Sequence, residues 1–315
     1  MSIKKDINNI HDKTYKSFFE NKEIFLELLQ SLVKESWTSK LTTDGLVQDK
    51  SYYVVRDYEE MEADIVYTAT IDGQEVIFYI LLELQSTVDY SMPIRLFLYT
   101  SEIWRKYLKK FTRDDVKKKE FKLPAVVPIV LYNGEPGWTV AMEFKDKIQR
   151  SELFGKHVMN FEYALINVNK YNKKDLMTIE NIVSAIFLLD QKVNAKEFVK
   201  RAGAVAKEFD TLPAAHKLKL IDWLDHTVQD PIREKIVELF KANKEEVDQM
   251  TANITKTIQE DRAKAEKKGM EKGERVKAIK VAKKMLSKGT PIEDIIEFTG
   301  LTCEEITEIV LTSLK

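Results

Sequence analysis

The segment Glu62 to Gln85, "EADIVYTATIDGQEVIFYILLELQ", restricts the fold more than any other part of this chain. Two runs of β-forming residues flank Asp72-Gly73. An Asp-Gly pair between such runs favours a two-residue turn, because both turn residues take positive φ and match the strand twist. The first run alternates: Asp64, Val66 and Thr68 share one face, and Ile65, Tyr67 and Ala69 the other. The second run, "QEVIFYILLELQ", is apolar on both faces, as suits a strand covered from both sides. The segment therefore predicts an antiparallel pair inside a layered structure.

The flanking sequence supplies the layers. Residues 11–34 carry helical periodicity at Tyr15, Phe18, Phe19, Phe25, Leu28, Leu29 and Leu32. A polar, turn-rich connection, "TSKLTTDGLVQDK", follows. "MPIRLFLYTSEIWRKYLKK" returns to the helical period, with Pro93 suited to a first turn. "PAVVPIVLYNG" and "FEYALINV" read as further strands. The order helix, hairpin, helix, strand, strand argues for an α/β fold with a mixed central sheet. After about Tyr171 only helical patterns remain, among them "MTIENIVSAIFLLD" as one helix. Three regions are expected: 1–170, 171–245 and 246–315.

The last region holds a long charged helix in which "KKGMEKGE" sets Gly269 and Gly273 on one face. It reads as a charged linker helix or as a surface for close helix–helix contact between subunits. "TPIEDIIEFTGLTCEEITEIV" then predicts two short helices, with Thr290 and Thr302 as N-caps and Gly300 just beyond the first helix. This resembles a small helix–turn–helix unit. Its reading positions hold Glu304, Glu305 and Glu308, where a DNA-reading helix would carry Arg, Lys, Asn or Gln. A packing or dimerisation role is expected, giving a homo-oligomer through the C-terminal helices.

Composition narrows the setting. No apolar run approaches the ~18 residues of a membrane helix, so no membrane partner is expected. No apolar stretch follows "MSIKKDINNI", so no secretory signal is expected. Cys303 is the only cysteine, which excludes an internal disulfide and a cysteine-rich zinc site and suits a cytoplasmic location. The net charge of -1 provides no global field for nucleic acid. Local charge is densest in "RKYLKKFTRDDVKKKEFK". Arg105, Lys106, Lys109, Lys110, Lys117, Lys118 and Lys119 are candidate phosphate contacts there, or else a solvated helix end and loop.

Glu83 is the anomaly in the apolar strand. Alternation brings it out with Gln85 at the strand's carboxyl end. Burying a carboxylate is costly unless it is paired. Asp64 stands at a similar distance from the turn on the neighbouring strand, within reach of one shared ion. Adjacent carboxylates raise each other's pKa, and a divalent cation removes that penalty. The alternative is a strand-end acid paired with Arg56, Arg95 or Lys16.

Ala63-Asp64 with Tyr67, Glu83-Leu84-Gln85-Ser86, Met92-Pro93-Ile94-Arg95, and Tyr99 with Ile103-Trp104 together resemble the Rpn family of recombination-promoting nucleases. "HDKTYKSFF", "VVPIVLYNGEPGW" and the glycine-spaced charged helix also look like family segments. That family is placed in the PD-(D/E)xK nuclease superfamily. The resemblance implies a restriction-endonuclease-like core over residues 1–170 and an all-α region after it. It implies Asp64 and Glu83 as catalytic, metal-binding acids, with the Leu84 carbonyl as a further ligand. Mg2+ is the implied cofactor, with Mn2+ or Ca2+ as alternatives. Gln85 stands where the superfamily usually has lysine; its amide orients groups but carries no charge. Arg95 or Lys16 would supply that charge, or would instead form salt bridges. Asp12 is either an accessory acid or a helix N-cap. The implied activity is metal-assisted hydrolysis of DNA phosphodiesters, linked to recombination or mobile elements. No base-reading motif is apparent, so low sequence specificity is expected. A nuclease toxin or defence factor, or a catalytically silent regulatory member, are the alternatives.

Overall fold

The computed structural model describes residues 15–33, 35–49, 65–83, 88–228 and 231–313. The expected hairpin forms from β2 (Ile65–Ile71) and β3 (Gln74–Glu83). The turn residues Asp72 (φ 50°) and Gly73 (φ 77°) both take positive φ, and Ile71 pairs with Gln74. β1 (Leu46–Asp49) lies antiparallel to β2 at the sheet edge. β4 (Ala125–Tyr132) runs parallel to β3, and β5 (Ala164–Asn167) parallel to β4. The order is β1-β2-β3-β4-β5, a mixed sheet. β1 falls in the segment read as a polar connection. Four residues with Leu46 buried and Val47 62% exposed are too few to display a strand pattern.

Both faces of β3 are covered, which explains its two-sided apolarity. On one face Val66, Ile77, Tyr79, Val130 and Tyr132 pack against Met92, Leu96, Tyr99 and Ile103 of α2 (Met92–Leu108). The Tyr79 and Tyr99 rings stack at 5.1 Å. On the other face Phe25 of α1 (Lys22–Leu32) stacks on Tyr67 at 4.2 Å and meets Phe78 edge-on. Each such buried ring contributes about 2–3 kcal/mol from area alone.

The single helix expected over 11–34 is interrupted. Residues 15–19 are helical, and α1 begins afresh at Lys22. Asn21 causes the break: its Oδ1 accepts from the Glu23 and Ile24 amides at 2.9 and 3.2 Å. The carbonyls left at the end of 15–19 accept from Tyr67 Oη, at 3.0 Å for Phe19 and 2.8 Å for Glu20. A strand residue thus satisfies a helix end.

Helices follow the sheet: α3 (Lys173–Ile179), α4 (Ile182–Asp190), α5 (Ala195–Glu208), α6 (Ala214–Thr227), α7 (Arg233–Leu239) and α8 (Lys244–Leu286). The stretch read as one helix through Asp190 is two, because Glu180 is left-handed (φ 52°) and Asn181 caps α4. Every residue of α4 is buried, and Asn181 Nδ2 donates to Ser31 Oγ of α1 at 2.9 Å. The chain forms two compact units, Met1–Thr251 and Ala252–Lys315. The first therefore holds the sheet and the helices through α7 together. In the second, Ala278, Ile279 and Ala282 of α8 share a core with α9 (Ile292–Thr299) and α10 (Cys303–Ser313), through Ile295, Leu301 and Ile306. Gly300 ends α9 at φ 66° and Thr302 caps α10, as expected. Thr290 does not cap α9; Pro291 takes that place. Among the described residues no helix is long and apolar enough to cross a membrane.

Candidate active site at the carboxyl end of the sheet

β3, β4 and β5 are parallel, and their ladder ends on one row, Glu83↔Tyr132↔Asn167. In open α/β sheets ligands bind outside the carboxyl ends of the parallel strands. The side chain of Glu83 is not among those described; its backbone closes β3 at this row. Asp12, Asp64, Leu84 and Gln85 lie outside the described residues.

A buried polar network stands at the same end. Asp190, the last residue of α4, is only 7% exposed. Its Oδ2 accepts from Tyr15 Oη at 2.6 Å and from Asn133 Nδ2. Asn133 directly follows Tyr132, the strand partner of Glu83. Asn169 Nδ2 donates to Asn133 Oδ1 at 2.9 Å and to the Gly134 carbonyl at 3.1 Å. The Lys192 amide donates to Asn169 Oδ1 at 3.0 Å. Burial raises the Tyr15 pKa well above its ordinary value, and the Asp190 charge raises it further, so the phenol remains a donor. The network joins the segments "HDKTYKSFF" and "VVPIVLYNGEPGW" through a carboxylate belonging to neither. Sequence reasoning passed over Asp190; its signal was an acid closing the apolar run "IVSAIFLLD".

Lys16 follows Tyr15, so its backbone is held at this end of the sheet by the Tyr15–Asp190 bond. Arg95, in the first turns of α2, donates from Nη1 to Asp89 Oδ2 at 2.6 Å. Asp89 Oδ1 accepts from the Ser91 amide at 2.8 Å and from Ser91 Oγ at 2.6 Å. Burial pushes the Asp89 carboxyl up, but the hydrogen bonds from Ser91 and Arg95 outweigh it and hold the pKa below its ordinary value. A depressed folded pKa stabilises the fold above the unfolded value of ~3.9 and ceases to do so as pH falls through the folded value. Asp89→Asn is therefore expected to lower urea stability at pH 7, and the deficit against the parent should shrink on acidification. A deficit independent of pH would show that the carboxylate charge does not act here.

The basic stretch lies elsewhere. Trp104 Nε1 donates to the Pro124 carbonyl at 2.9 Å, fastening the end of α2 beside the start of β4. Ala125 pairs with Val76, seven strand positions from Glu83, or roughly 23 Å at ~3.3 Å each. Several of its cations are already paired: Arg105 with Glu102 at 2.6 Å, Lys117 with Asp114 at 3.1 Å and Lys118 with Asp115 at 2.6 Å. Lys106 lies 3.8 Å from Asp49, and Lys110 Nζ sits 5.3 Å above the Tyr107 ring. Lys109 and Lys119 are exposed and pair with no carboxylate among the described residues. This stretch does not share the Glu83 end, although one duplex of about seven base pairs would span both. Among the described residues no group of three or more Asp, Glu, His or Cys is placed to hold a metal.

Residues 9–220, more than half of the chain, match the family model described as "Putative transposase, YhgA-like". The chain belongs to this family. A second match, over residues 275–310, is to the C-terminal HTH domain of the Rpn/YhgA-like nuclease family. The YhgA-like match spans the sheet and the helices through the first half of α6, in keeping with the one compact unit they form. Among relatives, the chain is 22% identical to recombination-promoting nuclease RpnA of Escherichia coli K12 over 313 residues, covering 96% of this chain and 98% of RpnA. It is 23% identical to recombination-promoting nuclease RpnC of the same strain over 58% of this chain, and spans 57% of RpnC. It is 21% identical to recombination-promoting nuclease RpnD of Escherichia coli O157:H7 over 50% of this chain, and spans 58% of RpnD. No solved structure matches the chain.

Proposed function

We propose that this member of the YhgA-like family is a divalent-metal-dependent endodeoxyribonuclease of low sequence specificity, acting in recombination, with a restriction-endonuclease-like core. The observation that carries the reading is the hairpin register. Ile65 pairs with Ile80, and Glu83 ends β3. Asp64 is the residue next before Ile65 in sequence, and Glu83 is the last residue of β3, so the hairpin brings the two chain ends that carry these acids to one end of the sheet. Two carboxylates brought to one end of a hairpin can share one cation. The donor set of Asp64, Glu83 and the Leu84 carbonyl is all hard oxygen, which suits Mg2+, Mn2+ or Ca2+. When bound, the cation polarises the phosphate and lowers the pKa of its water.

The protein's own groups supply position and charge. Asp64 and Glu83 hold the cation, and the Gln85 amide orients a phosphate oxygen or water. Lys16 is the cation proposed for the phosphate, because it follows Tyr15, whose hydroxyl is bonded to Asp190 at this end of the sheet. The Tyr15–Asp190–Asn133 bonds fix the turn carrying Lys16 against the strand end. The names of RpnA, RpnC and RpnD support the recombination role.

Gln85 in place of lysine favours one second reading, a DNA-binding member without hydrolytic activity. Supercoiled plasmid incubated with the protein and Mg2+ or Mn2+ separates the two. The nuclease is expected to produce open-circular and linear DNA, and EDTA should stop it. Plasmid left supercoiled with both ions at saturating protein supports the silent reading.

A further inference from the structure

The unit Ala252–Lys315 separates its charge sharply. Residues 262–288 hold eleven Lys and Arg against three Glu, whereas residues 292–310 hold six Asp and Glu and no Lys or Arg. The helix–turn–helix match alone would point to the second helix of the pair, α10, as the DNA reader. Its first turns argue otherwise. Glu304 and Glu308 are exposed, and Glu305 is committed to structure: its Oε2 accepts from the Thr302 amide at 2.9 Å and its Oε1 pairs with Arg275. An acidic helix start set against phosphate is repelled, and no cation there reaches a base edge.

We infer that the exposed cationic stretch of α8, not α10, is the surface through which this unit holds duplex DNA, by its phosphates. The proposal rests on the reading of the chain as a protein that acts on DNA. Every residue from 261 to 277 is exposed, so the helix presents its charge without cover from the described residues of its own unit. Ala278 and Ala282 face the α9–α10 core, while Lys277, Lys280 and Lys284 are exposed at i, i+3 and i+7, on the opposite side of the helix. None of these three pairs with a carboxylate among the described residues. Upstream on that side Gly269 and Gly273 have nothing within 4 Å of where a Cβ would stand. A glycine inside a helix costs about 1 kcal/mol against alanine, and here it removes side-chain bulk where a backbone can approach. Residues 262–286 rise roughly 37 Å, about the length of eleven base pairs. Arg262, Lys264 and Arg275 pair with carboxylates of this unit, and the remaining exposed cations along a helix of that length suit a polyanion, in contacts that carry no sequence information.

The test is equilibrium binding of the full chain to a short labelled duplex by fluorescence anisotropy in EDTA, where hydrolysis is absent. Lys277→Glu/Lys280→Glu/Lys284→Glu is expected to weaken binding at least tenfold and to reduce the slope of log affinity against log salt by up to about 2.7. All three residues are exposed, and circular dichroism checks that the helix persists. The neutral triple Gln variant should show a smaller loss of the same kind. Glu304→Gln/Glu308→Gln should leave binding unchanged or tighter. Unchanged binding in the Lys→Glu variant overturns the proposal, as does weaker binding in the Glu→Gln variant, which would make α10 the reader. A fall in mass by light scattering with unaltered DNA binding also overturns it, and makes the surface one between two copies. A protein that binds through these lysines yet never nicks plasmid with metal would remove the nuclease reading and leave this inference standing.

Discussion

Asp64→Ala and Glu83→Ala are each expected to lower the nicking rate by at least about 100-fold, the scale on which removing one preorganised charge-stabilising group acts in an active site. The two carboxylates are proposed to hold one cation between them. Removing either leaves a single acid, which holds a Mg2+ ion weakly because that ion dehydrates reluctantly. Gln85→Ala should cost less, since a neutral amide supplies orientation and no charge. The measurement is plasmid nicking at saturating Mg2+, beside a thermal melt of each variant. Rates within a few-fold of the parent in either acid variant would dismiss the site. A collapse of the melt together with activity would make the residue structural.

Asp190→Ala should be the most destabilising polar substitution at this end of the sheet. The carboxylate accepts from two buried donors, the Tyr15 hydroxyl and the Asn133 amide. Leaving each without an acceptor costs about 1–3 kcal/mol, and hydrogen bonds to a charged group are lost as well. A total of about 3–5 kcal/mol is expected in urea denaturation, as for other broken buried charge networks. Asp190→Asn should cost less, because its Oδ1 still accepts one bond. The Ala variant should also lose nicking activity at temperatures where it remains folded, as the turn bearing Lys16 is no longer held against the strand end. A cost below about 1 kcal/mol would show that this contact does not tie the segments together.

The hairpin was legible because its determinants are local. Asp72-Gly73 has few backbone options, and period-two alternation declares which residues share a face. The amphipathic helix α2 and the strands β4 and β5 were legible for the same reason. β1 was not, since a four-residue edge strand is defined by its partner Ala69–Val66 and not by its own pattern. The breaks at Asn21 and Glu180 were also hidden. Hydrophobic periodicity runs through both, and only a side-chain cap or a left-handed residue shows where the helix stops.

The site divides along the same line. Glu83 announced itself in the sequence, because a carboxylate ending an apolar strand violates the pattern around it. Asp190 did not, because its role depends on two donors 175 and 57 residues away. The basic stretch from Arg105 to Lys119 was visible as charge, but its distance from Glu83 follows from β4 running parallel to β3, which sets the start of one beside the start of the other. Local chain chemistry determined the elements, the turn and the anomalous acid. Tertiary packing alone decided which distant side chains meet at the carboxyl end of the sheet, because such meetings depend on strand direction and layer order, and residue type carries neither.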